Sequence, residues 1–502
     1  MTTPTTERVL SIFRELNHIP RPSHHEEKVA NYLCQFAKRL HLEYERDQQN
    51  CVVIRKPATP GHEQAEPVVL LNHMDMVCVG MANPLTDPID AYEDNGWLKA
   101  AYKREQPQAD LGAAERKQAR PEVKARGTSL GADNGIGLSM ALAVLESDDI
   151  IHGPLEVITT TNEEDGMSGA AQLSADFLHG RKVINLDSED YDTITTGAAG
   201  ACLQFHRLPA TRQEAPGGKR RWYRIRFEGG LGGHSGVDIN KGRCSAVIPA
   251  WAILTAVNNE YDFDVAAINI GEANASIASS AEIIVCVPSG EAAEYVKAQE
   301  PMINEWLREE YPDDPHLTCT IEKCDRMDTI LPATAVEALL ACLELTPQGV
   351  VKMSDTMPGT VETSNNVGRI TTEQDHLFIS THTRSFIDAD MAALSSDIAD
   401  TFRQHGATSE VIMSAPAWQE DQHSPFLQLT SDTFNDVLGW RPRMVAMHFV
   451  LEAGFFVQHY PGIQIASIGP RIVEPHSTSE RIQLSTIDDI WRVLLELLRR
   501  LG

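Results

Sequence analysis

The sequence predicts an α/β protein: a mostly parallel sheet with helices on both faces, interrupted by a region of α+β character. Three observations predict it. A short continuous apolar run at 68–71 has the signature of a strand buried on both faces, as in a mostly parallel sheet, and further strands read at 155–160 and 183–186. Helix-period segments flank these runs. After Gly197 the pattern changes to alternating strands, a Gly-rich loop and longer helices, which reads as a separate α+β domain. A chain of 502 residues also exceeds what one core usually organises.

Taken in order, residues 9–16 alternate as an amphipathic helix stopped by Pro20 and Pro22. Ser23 then reads as the N-cap of a second helix to about residue 40, with Glu26 completing a capping box. Strands follow at 51–55 and 68–71, the latter ending at His73 and Asp75. Residues 103–126 are charged and poor in large apolar side chains, an exposed excursion ahead of the turn GTSLGADNGIGL at 127–138. That Gly-rich turn carries Asp133 and opens into an apolar helix at 136–145. The strand at 155–160 ends in Thr161, Asn162, Glu163, Glu164 and Asp165, and the strand at 183–186 in Asp187 to Asp190.

Beyond Gly197, strands are expected at 222–228, 283–287 and 318–323, and helices at 246–257 and 291–310. A hairpin at 366–370 and 377–383 supplies Arg384. Helix periodicity returns at 391–404 and 425–438. Strands at 443–447 and 464–468 would rejoin the first sheet before a terminal helix at 488–501.

Lys and Arg number 43 against 71 Asp and Glu, a formal charge of -28, which disfavours nucleic acid and anionic membranes as partners. Nine cysteines without CxxC pairs suggest reduced thiols and a cytoplasmic location. The start of the sequence has no signal-peptide pattern, and no run of 18 apolar residues occurs, so export and membrane spanning are not expected.

Three strand ends thus deliver carboxylates or an imidazole, with a further histidine at 476. Such donors suit zinc, manganese or cobalt, and two neighbouring cations need a shared anion to offset their repulsion, a role open to Asp133. In a chain this acidic, the same clusters are as readily solvated loops. GGLGGHSG at 229–236 lacks the ending of a P-loop, HSTSE at 476–480 is not HExxH, and no GxSxG elbow occurs.

Six motifs in order change that balance: NHMDMV (72–77), GTSLGADNGIG (127–137), TTNEEDGMSGA (160–170), NLDSED (185–190), GGHSGVDINKGR (232–243) and PHSTSER (475–481). They resemble the aminoacyl-histidine dipeptidases (peptidase D, or beta-Ala-His dipeptidase) among the M20 di-zinc metallopeptidases and amidohydrolases, over nearly the whole length. The resemblance implies a catalytic domain of 1–197 and 388–502 interrupted by a lid and dimerisation domain at 198–387. It implies two Zn2+ ions, replaceable by Mn2+ or Co2+. His73 and Asp187 would hold one ion, Glu164 and His476 the other, and Asp133 both, with a cis peptide to Asn134. Asp75 would orient His73, Glu163 would be the general base for a zinc-bound water, and His234 would stabilise the carbonyl oxygen. Arg384 would take a substrate carboxylate. Glu452 would position substrate beside Gly454, and Arg369 and Asn269 are further substrate-binding candidates, with a surface ion pair or loop cap as competing roles. The implied activity is hydrolysis of dipeptides such as Xaa-His or beta-alanyl dipeptides, in a cytoplasmic homodimer. The alternatives are an amidohydrolase cleaving an N-acyl amino acid or isopeptide bond, and a non-catalytic dimeric peptide-binding protein. The excursion at 104–125, the segment GRCSAVIPAW at 242–251 and Asn365 depart from the family pattern.

Overall fold

Four parallel strands form the centre of the first sheet, in the order Leu155–Thr160, Val68–His73, Lys182–Asn185 and Gln464–Ser467. Val52–Lys56 and Glu43–Arg46 extend one side antiparallel, and Thr193–Ala198 joins Gln464–Ser467 on the other. Val68, Leu70, Leu155, Val157 and Ile184 pack into one cluster with the helices Thr6–Asn17, Glu27–Arg39, Ala132–Glu146, Pro425–Leu438 and Leu484–Leu501. Val69, Leu71, Ile158 and Val183 point the opposite way and are equally buried. Burial on both faces is why 68–71 is continuously apolar, each such side chain contributing about 1.5–3 kcal/mol, while the buried Glu156 of the neighbouring strand pairs with Arg55.

This is a computed structural model, and it describes residues 5–102, 124–125, 127–421 and 423–502. The chain divides into two units: Met1–Thr196, Gln419–Val445 and Phe455–Gly502 make the first, Gly197–Trp418 and Ala446–Gly454 the second. The expected excursion at 104–125 lies outside the described residues, save a two-residue strand, Lys124–Ala125.

The second unit is an antiparallel sheet ordered Thr318–Lys323, Arg220–Glu228, Ala281–Pro288, Asp264–Ile270, Val361–Thr372, His376–Ser385, Gly200–Pro209 and Thr408–Ala415. Tyr223, Ile225 and Phe227 alternate into a core shared with the helices Val247–Glu260, Glu291–Glu310, Ala333–Leu345 and Asp388–Gln404, while Trp222 joins a smaller cluster with Ile284 and Ile330.

Two details differ from the sequence reading. The capping box does not form: the second helix starts at Glu27, and the Ser23 hydroxyl donates to Asp75 Oδ2 at 2.8 Å instead. Glu26 accepts from the backbone N–H of His24 and Asn162 at 3.0 and 2.8 Å. A tertiary carboxylate outbids the local cap. The return to the first unit, expected at 388, comes at 419, because Ile398 and Phe402 of Asp388–Gln404 are buried in the second core and Thr408–Ala415 pairs with Gly200–Pro209. No helix among the described residues is long and apolar enough to cross a membrane.

Candidate functional site

His73 is the last residue of its strand and has no exposed side-chain surface. Its Nδ1 lies 3.1 Å from the Asp75 carbonyl and 3.5 Å from Asp75 Oδ1. The Asp75 carboxylate also accepts from the backbone N–H of Glu163 at 3.0 Å and of Glu164 at 3.2 Å. One buried carboxylate therefore orients an imidazole on one strand end and the paired glutamates on the next. Although burial opposes ionisation, His73, Ser23 and the Glu163 N–H hold the Asp75 pKa below its usual value.

The turn before Ala132–Glu146 presents Asp133 between two imidazoles. Oδ1 lies 3.1 Å from His73 Nε2, and Oδ2 lies 3.0 Å from His476 Nε2. Asp187 Oδ1 is 3.2 Å from His73 Nε2, and Glu164 Oε2 is 2.9 Å from His476 Nε2. Gly131 takes φ 68°, a left-handed value that suits glycine, and a Cβ on Gly137 would lie 2.3 Å from the Leu186 carbonyl, so the helix approaches the Asp187 strand end only because that position is bare. The Asp133–Asn134 peptide is cis. His476 itself sits at φ 55°, rare for a side-chain-bearing residue, on a loop that turns its ring toward Asp133.

The five groups form two trios sharing one aspartate: His73, Asp133 and Asp187, and Asp133, Glu164 and His476. Burial raises the Asp187 pKa to about 7. Hydrogen bonds to Asp133 and Glu164 raise His476 to about 11, and His73 is raised well above its usual value because the surrounding carboxylates outweigh its burial. Asp133, whose burial alone would raise it, is pulled down by the two histidines. Without a cation, protons must fill these gaps. Glu164 Oε1 is buried without a hydrogen-bond partner, and Asp187 Oδ1 makes no aligned hydrogen bond. Buried acceptors of this kind are costly unless something positive meets them, and a mixed imidazole–carboxylate set with no cysteine fits zinc, manganese or cobalt. Glu163, half-buried next to Glu164, is in neither trio.

The second unit holds a different cluster. Arg384 is 3 % exposed; among the described residues it donates only to Ser235 Oγ, at 3.3 Å, and its Nε has no partner. Burial lowers its pKa to about 10. His234 Nδ1 accepts the N–H groups of Gly236 and Val237 at 3.1 and 3.0 Å, so the neutral ring carries its proton on Nε2. Desolvation, with the Arg384 charge behind it, lowers its pKa to about 4, although the residue keeps exposed surface.

The sequence reading missed two more histidines here. His382, two residues before Arg384 on the same face of its strand, is buried with neither ring nitrogen hydrogen-bonded, and His448 Nε2 meets Ser364 Oγ at 2.7 Å with Nδ1 unpartnered. The period of two and the segment MHFVLEAG were the available signals. Glu452 is 1 % exposed in that segment. Arg369 lies over the Phe378 ring and donates to Thr371 Oγ1, and Asn269 Oδ1 accepts from the Thr372 N–H; both are engaged along their own sheet.

A parallel α/β sheet whose carboxyl end gathers two histidine–carboxylate trios around one aspartate defines a metal-dependent hydrolase. Residues 117–500 match Peptidase family M20/M25/M40, and the chain belongs to that family. It is 34 % identical over 498 residues to the cytosol non-specific dipeptidase of Escherichia coli (strain K12), covering 98 % of this chain and 96 % of that protein. The crystal structure of aminoacylhistidine dipeptidase from Vibrio alginolyticus matches with TM-score 0.84 and 31 % identity, over 98 % of this chain and 96 % of that one. Aminopeptidase PepT from Bacillus cereus ATCC 10987 shares the fold at TM-score 0.61 and 16 % identity, with 100 % of both chains covered.

Proposed function

We propose that the protein is a cytoplasmic dipeptidase that uses two divalent ions and Glu163 to hydrolyse the amide bond of small peptides. The observation that carries the reading is Asp133, which faces His73 with one oxygen and His476 with the other. His73 and Asp187 would hold one ion, Glu164 and His476 the second, and Asp133 both. When bound, the ions supply Lewis acidity to the carbonyl and lower the pKa of water. Glu163 takes the proton of the attacking water and passes it to the leaving nitrogen. Asp75 keeps His73 oriented and its Nε2 directed at the ion site. His234, with its proton on Nε2, donates to the developing oxyanion. Arg384, buried and with no ion pair among the described residues, receives the substrate carboxylate in bidentate fashion, with Glu452 a positioning group. The relatives named as dipeptidases support peptides over N-acyl amino acids as substrates. Thr408–Ala415, the edge strand of its sheet among the described residues, with Val411 and Ile412 exposed, supports a homodimer formed through the second unit.

The test is metal analysis combined with a substrate panel. About two ions per chain are expected, with turnover of Xaa-His, beta-alanyl and other dipeptides. Turnover confined to N-acyl amino acids or isopeptides would replace the dipeptidase reading, and a protein that takes up no divalent metal would end it.

A further inference from the structure

We infer that Glu480 is the positioning residue of the metal centre. It touches neither substrate nor metal. It sets the place of the shared aspartate, and this inference rests on the metal reading above.

Glu480 is 4 % exposed, and its carboxylate takes four consecutive backbone N–H groups of the turn leading into Asp133: Leu130 at 2.7 Å and Gly131 at 2.9 Å on Oε2, Ala132 at 2.8 Å and Asp133 at 3.4 Å on Oε1. Ala132 and Asp133 are the first residues of the helix Ala132–Glu146, whose N–H groups a helix start leaves without partners, and an anion there is favoured by the helix dipole. A neutral backbone or hydroxyl cap would serve a helix end; a buried carboxylate with both oxygens engaged does something further, because of where it comes from.

Glu480 lies four residues after His476, on the loop that carries that ligand. That loop joins the strands Ile472–Val473 and Arg481–Gln483, which pair with each other, the second also pairing with Trp97–Tyr102; within it Ser477 Oγ donates to the Glu474 carbonyl and Arg481 to the Glu474 carboxylate. His476 is 48 % exposed at its side chain and, among the described residues, pairs with Asp133 and Glu164. The Glu480 carboxylate is thus the link that fixes the His476 loop to the Asp133 turn through backbone, independent of the ligands themselves.

Arg21 closes the frame from the opposite side. It donates to the Gly131 carbonyl at 2.7 Å and to the Met74 and Asp75 carbonyls at 3.2 and 3.1 Å, and Asn17 Nδ2 donates to the Leu130 carbonyl at 3.0 Å. The turn therefore has its N–H groups tied to the His476 loop, its Gly131 carbonyl tied through Arg21 to the residues just past the His73 strand, and its Leu130 carbonyl tied to the helix Thr6–Asn17. Both oxygens of Asp133 then arrive at spacings set by one anion and one cation outside the donor set, as outer groups are known to tune metal sites.

The test compares wild type, E480Q, E480D and S424A, each stripped with chelator and titrated with Mn2+ in a calorimeter, with kcat and KM at saturating metal, hydrogen exchange of residues 130–133, and metal-free Tm. In E480Q an amide N–H faces two backbone N–H groups, so Mn2+ affinity should fall by about 10–100-fold, as for lost outer-shell partners. Its kcat should fall about tenfold or more with KM within twofold, and exchange should quicken at 130–133. E480D, which keeps the charge but not the reach, should be intermediate, and it carries the test if E480Q does not fold. S424A removes the cap that Ser424 Oγ provides to Leu427 N on the helix Pro425–Leu438, and should lower Tm with Mn2+ affinity unchanged. Wild-type affinity and kcat within twofold in both Glu480 variants overturns the inference, whatever happens to Tm. A wild type that binds no Mn2+ overturns the metal reading beneath it, an outcome distinct from the first.

Discussion

Histidines in the two units face opposite surroundings. In the first, His73 and His476 lie against Asp133, Asp187 and Glu164, which favour their protonated forms. In the second, His234, His382 and His448 lie around Arg384, where burial and the guanidinium charge favour the neutral form. The same side chain is therefore used once among carboxylates and once beside a buried guanidinium. The first invites a metal, the second an anion.

Chelation should break the comparison most completely, since it removes the positive charge from one side only. Turnover should be abolished and return with Zn2+ or Mn2+, while exchange protection around 380–384 stays unchanged; loss of protection in both units would mean the clusters are not separate. Glu163→Ala comes next, with kcat lowered by about 10²–10⁴-fold. Metal content should stay that of wild type, and a variant that loses both would reassign Glu163 as a ligand. Arg384→Ala tests the anion side. KM for a dipeptide with a free carboxylate should rise about 10–100-fold, from the loss of charge-assisted hydrogen bonds, whereas KM for the corresponding dipeptide amide should barely move. An equal rise for both would remove Arg384 from carboxylate recognition.

The smallest effect is on stability and has opposite signs in the two units. His206, fully buried between Ser409 and Thr381, is lowered to about 4, chiefly by burial, and His448 to about 3. Their contribution is intact above an unfolded-state value of about 6.5 and is lost as pH falls toward 4, on the order of 3 kcal/mol for His206. In the metal-free first unit, Asp187 at about 7 and His476 at about 11 contribute at low pH, and that contribution is lost as pH rises through those values. Hydrogen exchange of metal-free protein between pH 4.5 and 7, corrected for intrinsic rates, should show the second unit gaining protection with pH while the first loses it. Parallel trends would contradict the assigned surroundings.

Much of this was legible residue by residue. The apolar run at 68–71 announced a strand buried on both faces, with further strands at 155–160 and 183–186, and the acidic groups that follow them fall at the carboxyl end of the sheet because chain direction in a parallel sheet puts every strand end on one side. Ser23 was misread because the pattern S-x-x-E scores a local cap and carries no information about Asp75, 52 residues away. Arg384 was named from its motif, whereas His382, on the same strand face two residues earlier, lies in no motif of its own. The return at 419 rather than 388 depended on which core Ile398 and Phe402 joined, and amphipathic periodicity marks a buried face without naming what buries it.

What the sequence determined by itself is the set of elements and the chemical character of their ends, since hydrophobic period, Gly-rich turns and side-chain donor type are properties of short stretches. What only the tertiary structure decided is pairing across distance. Asp133 divides its two oxygens between His73 and His476, Asp75 serves a ring and two backbone N–H groups, and Glu480 holds a turn 347 residues away through hydrogen bonds whose angle and reach are fixed only when both segments are packed. Directional contacts between remote segments leave no periodic trace in the chain, so they appear only once the fold has brought the partners together.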